Sequence, residues 1–454
     1  MQKELQEVFL GRGFWAALLI SVLLSGYSYI QAVKLYGQAS QTAEHSPELA
    51  RGLSPLDGIL VPSFGGLYLI ASLLYPFVVI RTIGVEKQSG AVQLLLQLPY
   101  SLGELIAAKL TAALVAWTIL VLPCLMALVL WAIQGGHLGG WETANLLLGH
   151  CLFALVTAGI SLTAAATTES AAGASIAAIS VMAGFWVLDF ASTGEDGLLK
   201  SLSDLSLTRE LKSFESGLFS LSIVVGSLSA AFGLAILAGV WLRRDWSRVQ
   251  KWPISVLTVA VTALAILAAA QLRFYRDAAE DRRNSFHHAD EAVLRTADGR
   301  LIVQVFLLPS DPRAYDLERS VLAKLRRTMP CVSVNYEDAG GNRFLSGQGD
   351  DYGKVIYSYN DRQTMSRSTN EDEILSIVFE LLGSTRTPTK PAECPYPGYP
   401  LEVSSRPAEI LFYYVLPATV LCCWALAAGG WRIAKNVSPR MRSKDSSTRG
   451  RRNP

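Results

Sequence analysis

The sequence predicts an α-helical polytopic membrane protein with about eight transmembrane helices and a small α/β extracytoplasmic domain. Three observations lead there. The 454 residues are 51% hydrophobic and only 17% charged, where a soluble chain carries about 25% charge. Apolar runs long enough to cross a bilayer core as helix recur along the chain. A polar stretch, 274–408, separates the last two runs.

The runs fall at 14–33, 65–82, 106–133, 145–167, 171–191, 217–242, 254–273 and 409–431. Each must be helical, because unpaired backbone amides in lipid cost several kcal/mol. The first run is read as a span and not a cleavable leader: its apolar stretch is long, and no small-x-small site precedes the polar segment after Tyr36. MQKELQEVFLGRGFW, ahead of it, mixes charge with Leu, Val and Phe and suits an interfacial helix.

Lys and Arg near the span ends set the orientation. WLRRDWSRVQKW (241–252) holds Arg243, Arg244, Arg248 and Lys251, and the tail 432–454 is rich in Arg, whereas the loop 135–142 has neither Lys nor Arg. With eight spans, both termini are expected in the cytoplasm and 274–408 outside. A basic juxtamembrane tail is read as a topology determinant beside anionic lipid, not a nucleic-acid patch. The expected organisation is a six-span domain at 1–252, a seventh span at 253–273, the external domain at 274–408, an eighth span at 409–431 and a basic tail.

Within the external block, AVLRT and RLIVQVFL around an ADG turn predict a hairpin. A proline-started amphipathic helix is expected at 312–328, strands at 331–337 and 353–359, and a helix over 370–382 with Ser368 and Glu371 among its candidate caps. Strand, helix, strand favours a right-handed crossover and an α/β layer. The segment 387–400 reads as an extended connector. Cys331 and Cys394 are the two cysteines of this block; a disulfide and a pair of separate thiols stand as equal readings, since spacing supplies no geometry.

Several chemistries are disfavoured. GQGDDYGKV (347–355) has the wrong spacing for a phosphate loop, and Val355 replaces the hydroxyl residue that would reach magnesium. The chain is therefore not expected to be an enzyme. His287 and His288, beside Asp290 and Glu291, point different ways and read as a solvated linker before a metal site. Ionisable groups in spans are functional by default, but Glu169, in the TTES turn, and Asp189, near the outer end of span five, are both read as interfacial. A membrane enzyme would need a reactive pair that the sequence does not display. Spans four and five are rich in small residues, which permit close packing. The loop 197–217 alternates Leu with polar groups and is read either as a solvated amphipathic loop or as a gate.

One segment carries more. In RTIGVEKQSGAVQLLLQLPYSLGELIAAK (81–109), Glu86 and Lys87 are expected to open a polar turn that Gly90 bends. Leu94, Leu95, Leu96 and Leu98 present apolar surface and Pro99 ends it. Ser101 and Glu104 then stand at capping-box spacing for the next helix. The pattern suits a short surface helix facing a partner or the bilayer; an ordinary interhelical loop is the other reading. The segment resembles the hallmark of the ABC-2 type transporter permeases on Glu86, Gly90, Leu94, Leu95, Pro99 and Lys109. It departs from them at Ala91, Gln93 and Ala108.

That resemblance implies a coupling helix, with Glu86, Lys87, Gly90, Leu94, Leu95 and Pro99 seated against a separate ATPase subunit and Glu169 supplying a second contact. It implies a homodimer with two ATPases, which hold the ATP and Mg, and no cofactor or metal in this chain. It also implies the bacterial cytoplasmic membrane, surrounding lipid and no nucleic acid. Within the superfamily the arrangement is similar to the gliding-motility-associated permeases and the permease for nitrous-oxide-reductase maturation. The external block resembles a shortened form of the gliding-motility partner protein. An exporter is the expectation. The alternative is an ATP-driven mechanical or envelope scaffold that docks an extracytoplasmic partner and transports nothing.

Overall fold

The computed structural model describes residues 2–45, 54–91, 101–191, 206–243, 245–308, 311–336, 352–389 and 403–428. A short amphipathic helix, α1 (Gln2–Phe9), turns at Gly11 into α2 (Arg12–His45). There follow α3 (Leu56–Ser89), α4 (Leu102–Ile133), α5 (Gly140–Thr167) and α6 (Ala171–Ala191). A short helix, α7 (Leu207–Glu215), and the strand β1 (Leu218–Ser220) lead to α8 (Leu221–Leu242) and α9 (Arg248–Ala269). With α13 (Arg406–Ala428), eight helices among the described residues are long and apolar enough to cross a membrane.

Where the residues are described, the eight expected runs lie within these helices except at two ends. Residues 217–220 leave the expected sixth span: Gly217 adopts φ +83° and the next three residues pair as strand β1. Residues 270–273 lie beyond the end of α9. Elsewhere the helices outrun the apolar windows, α2 continuing to His45 and α3 starting at Leu56, because backbone hydrogen bonding does not stop where hydropathy does. The end of the eighth run, 429–431, and the basic tail lie outside the described residues, as do Leu94, Leu95 and Pro99.

Helix α5 is the most enclosed span, packed against α3, α6, α7 and α8. Its small residues serve α8 more than α6. Thr163 Oγ1 donates to Leu234 O at 2.9 Å, and Leu234 lies against Gly159. Spans α9 and α13 are largely exposed. The latter seats Phe412 directly on Gly26 of α2, where an added Cβ would come within 2.3 Å of the ring side chain.

After α9 the chain forms β2 (Tyr275–Asp277), which pairs antiparallel with β1. The sheet domain then comprises α10 (His288–Arg295), β3 (Leu301–Val305), a continuous helical stretch α11 (312–328), β4 (Val332–Tyr336), β5 (Val355–Tyr359), β6 (Arg362–Ser366) and α12 (Glu371–Leu381). Strand order is β4-β3-β5-β6, with β3 and β4 parallel and the other pairs antiparallel. Leu301, Val303 and Val305 alternate inward onto Leu317, Val321 and Phe379.

The expected hairpin is wrong. AVLRT belongs to helix α10, whose buried residues Asp290, Glu291 and Leu294 follow helical spacing, and β3 takes β5 as its antiparallel partner. The actual hairpin is β5–β6, turning at Asn360–Asp361 with Asn360 at φ +51°, a two-residue turn of the kind Asn favours. Asn370, not Ser368, caps α12 through the amide of Asp372.

Candidate functional site

The α1 end of the spans gathers the segment singled out in the sequence. Glu86 and Lys87 do not open a polar turn. Helix α3 continues through them to Ser89, and Gly90 closes it in the left-handed conformation at φ +73°. Glycine adopts that conformation without the cost a side chain would add. The next helix starts as its sequence dictates: the Glu104 amide donates to Ser101 Oγ at 3.2 Å and the Ser101 amide donates to Glu104 Oε2 at 2.9 Å. Segment 92–100, between these two signals, lies outside the described residues.

Between α1, α3 and α4 is a buried ionic junction. Lys109 Nζ lies 2.7 Å from Glu86 Oε2 and 2.9 Å from Glu4 Oε2, and it donates to Thr82 O at 2.7 Å. An ammonium has three donors; hydrogen bonds go to Glu4 and Thr82, and Glu86 Oε2 is held as an ion-pair contact. The side chains of Lys109 and Glu86 are 1% and 2% exposed. On the other carboxylate oxygen, Glu86 accepts from Lys3 Nζ at 2.8 Å. Glu86 therefore works from within, tying α1 to α3 and α4, and offers no surface to a partner.

Lys87 leaves the same helix turn in another direction. Its ammonium donates to Ala165 O at 2.6 Å, Ala166 O at 2.7 Å and Thr168 O at 2.9 Å. These are C-terminal carbonyls of α5, where a cation is favoured by both hydrogen bonding and the helix dipole. Glu169 stands next to this cap on the TTES turn, exposed, with Arg248 of α9 at 3.8 Å. Gly90, Lys87 and Glu169 thus share one end of the molecule.

Electrostatics follow from the crowding. Oxygens of Glu4, Glu7 and Glu86 lie within 4.8 Å of one another, a spacing suited to a cation, and Lys3 and Lys109 supply that charge. Burial and the nearby Glu86 charge push the Glu7 carboxyl up. For Lys3, burial acts downward, but the hydrogen bond and charge of Glu86 outweigh it and its pKa is raised.

At the opposite end of the spans, the sheet domain rests on the helices. The amide of Glu280 donates to Glu142 Oε1 at 2.6 Å, and His137 Nε2 lies 2.7 Å from Glu280 Oε2. Arg283 joins Asp57 to Asp281. Asp189, read as interfacial, pairs with Lys212 of α7 at 2.5 Å. That helix resolves the loop 197–217 in part: Leu207, Leu211 and Phe214 are buried, so 207–215 is packed structure. Burial lifts the Glu210 carboxyl to about 7, against a hydrogen bond from Ser227. Of the residues weighed as a metal set, His287 Nδ1 caps α10, Asp290 accepts from Thr389, and Glu291 pairs with Arg295. Cys331 is exposed just before β4, and Cys394 lies outside the described residues.

Residues 1–194 match the family model described as ABC-2 family transporter protein. The matched stretch contains α1 and spans one to five, hence every residue of the buried junction. It supports an ABC-2 permease, a transmembrane component of an ABC transporter, and that family works in general with an ABC ATPase. No curated protein and no solved structure matches the chain.

Two participants escaped sequence reasoning in this permease-like region. Glu4 looked like part of an interfacial helix; its spacing from Glu7 on an amphipathic turn was the available signal. His150 lies inside α5, 1% exposed, with its Nε2 3.6 Å from Glu215 and its ring against Phe64. It falls within the expected span 145–167, whereas the ionisable groups weighed from the sequence, Glu169 and Asp189, were read as interfacial.

Proposed function

We propose that the chain is the permease subunit of an ATP-driven ABC exporter, acting as a homodimer with two separate ATPase subunits that bind the ATP and Mg. Its place is the bacterial cytoplasmic membrane, with both termini cytoplasmic and the sheet domain outside. The stretch holding Lys87, Gly90, Leu94, Leu95 and Pro99 couples the chain to the ATPase, with Glu169 as a neighbouring contact and the buried Glu86 acting through its bracing. The observation that carries this reading is the bracing around that segment. Lys109 locks α1, α3 and α4 together, and Lys87 locks α3 to the end of α5. A push on 92–100 then displaces four helices as one body, because buried pairs and packed cores resist continuous deformation.

The test is co-purification of the full chain with the ATPase encoded beside it, comparing wild type with Leu94→Glu/Leu95→Glu. Retention and stimulated ATP hydrolysis in the wild type, with at least a tenfold loss in the variant, support coupling. Equal retention by a normally inserted variant overturns it. Glu86→Lys is unsuited to this test, since it places a cation beside Lys109 in a buried site.

One observation favours a second reading, transmission of force to an envelope partner without transport. The sheet domain is fixed to the span ends by strand pairing and by Glu142, so helix motion would carry it along. ATP turnover in reconstituted vesicles with no vectorial movement of lipid, peptide or glycan would select this reading.

A further inference from the structure

A cavity of about 720 Å³ lies where α9 gives way to the sheet domain. Four arginines line it, Arg273, Arg276, Arg282 and Arg295, with Trp141 and Phe274 beside them. Three acids share the lining: Asp277 accepts from Asn284 and Ser285, Glu280 meets His137, and Glu291 holds the cavity's own Arg295. Among the described residues, Arg273, Arg276 and Arg282 meet no carboxylate; Arg276 lies 4.6 Å from the Trp141 ring centroid. Three guanidinium groups with no carboxylate paired to them surround one hollow and outnumber the acids left there, Asp277 and Glu280, and Arg matches phosphate through its forked donors.

Position narrows the ligand. Trp141 and Phe274 are exposed at the ends of α5 and α9, where aromatic side chains mark the headgroup layer. Below them α9 shows Val261, Leu264 and Leu267 to its surroundings, a surface for acyl chains. On the orientation proposed above, these arginines follow a span on the side where Lys and Arg are depleted, so topology does not account for them. Nor does the turn: Arg282 sits at φ +53°, a conformation that Gly or Asn adopts more readily.

We propose that this cavity binds the phosphate of a lipid headgroup in the adjoining leaflet, with Arg273, Arg276 and Arg282 holding the phosphate and the exposed face of α9 receiving the chains. The volume suits a phosphoglycerol headgroup, within the ordinary range of small-ligand sites. The same donors would take free phosphate.

The test titrates the purified full chain with short-chain phosphatidylglycerol, phosphatidylcholine and inorganic phosphate, read by native mass spectrometry and calorimetry. Wild type is expected to hold phosphatidylglycerol at least tenfold tighter than phosphatidylcholine. Arg273→Gln/Arg276→Gln/Arg282→Gln loses that preference. Arg300→Gln/Arg319→Gln/Arg362→Gln, an equal charge change on exposed parts of the sheet domain, keeps it. Trp141→Ala, with every arginine intact, weakens binding several-fold at an unchanged melting midpoint. Displacement of the lipid by millimolar inorganic phosphate, absent in the first triple variant, identifies free phosphate as a second source for the same site. Equal loss in both triple variants, or equal lipid retention by wild type and the first, overturns the proposal.

Discussion

The two ends of the helical bundle are fastened by different physics. At the α1 end, a lysine and two glutamates are sealed from water, and the ammonium lies against both carboxylates and a backbone carbonyl. At the sheet-domain end, fastening relies on a three-residue strand pair and on polar groups that keep some exposure, such as His137 and Glu280. Buried charge fails abruptly when one partner is removed, whereas partly solvated contacts are replaced by water at modest cost. The contrast suits an end that must move as a unit and an end that must tolerate a separate domain.

Lys109→Met should break this contrast most severely, leaving the buried Glu4 without its cation and Glu86 with Lys3 alone. A loss of about 3–5 kcal/mol is expected, read as the thermal midpoint of the full chain in detergent. Lys87→Met removes three hydrogen bonds to carbonyls and should cost about 1.5–3 kcal/mol, with faster amide exchange at 164–168. On the other side, Glu142→Ala strands the Glu280 amide for about 1–3 kcal/mol. Its signature should be protease sensitivity near 280, with ATPase capture unchanged. Gly90→Ala meets no atom within 4 Å, so only the left-handed backbone is penalised, by about 1–2 kcal/mol.

A further effect is a pH dependence. The folded chain holds the Glu210 carboxyl at about 7, above its ordinary 4.5, so folding takes up a proton between those values. The contribution of Glu210 to stability therefore falls as pH rises from about 4.5 to 7 and is level above. Glu210→Gln should lack that slope, making it more stable relative to wild type at pH 8 than at pH 4. An identical slope in both proteins would remove Glu210 from the account.

Much of this architecture was legible, because apolar run length is a strong signal and bilayers permit few solutions. The Ser101–Glu104 box was readable for a similar reason: its two partners are three residues apart. The junction was not. Glu4 and Lys109 are 105 residues apart, and nothing local in either sequence context reports the other. Lys87 stood in the motif, but its role as a cap depended on the end of α5 arriving beside it. AVLRT misled through its β-branched and apolar residues, and only the helical spacing begun by the preceding HADE decides its state. Asn360–Asp361 is a two-residue turn between runs of strand formers, a hairpin signal as local as the glycine turn.

Strand β1 bears on how the chain is built. It emerges before α8, while its partner β2 follows α9, and chains are made N-terminus first. The two can meet only if both intervening helices have crossed the bilayer and returned. A failed insertion would leave β2 on the wrong face and β1 with an open edge. The pairing of Leu218–Ser220 with Tyr275–Asp277 thus closes only around α8 and α9 packed side by side.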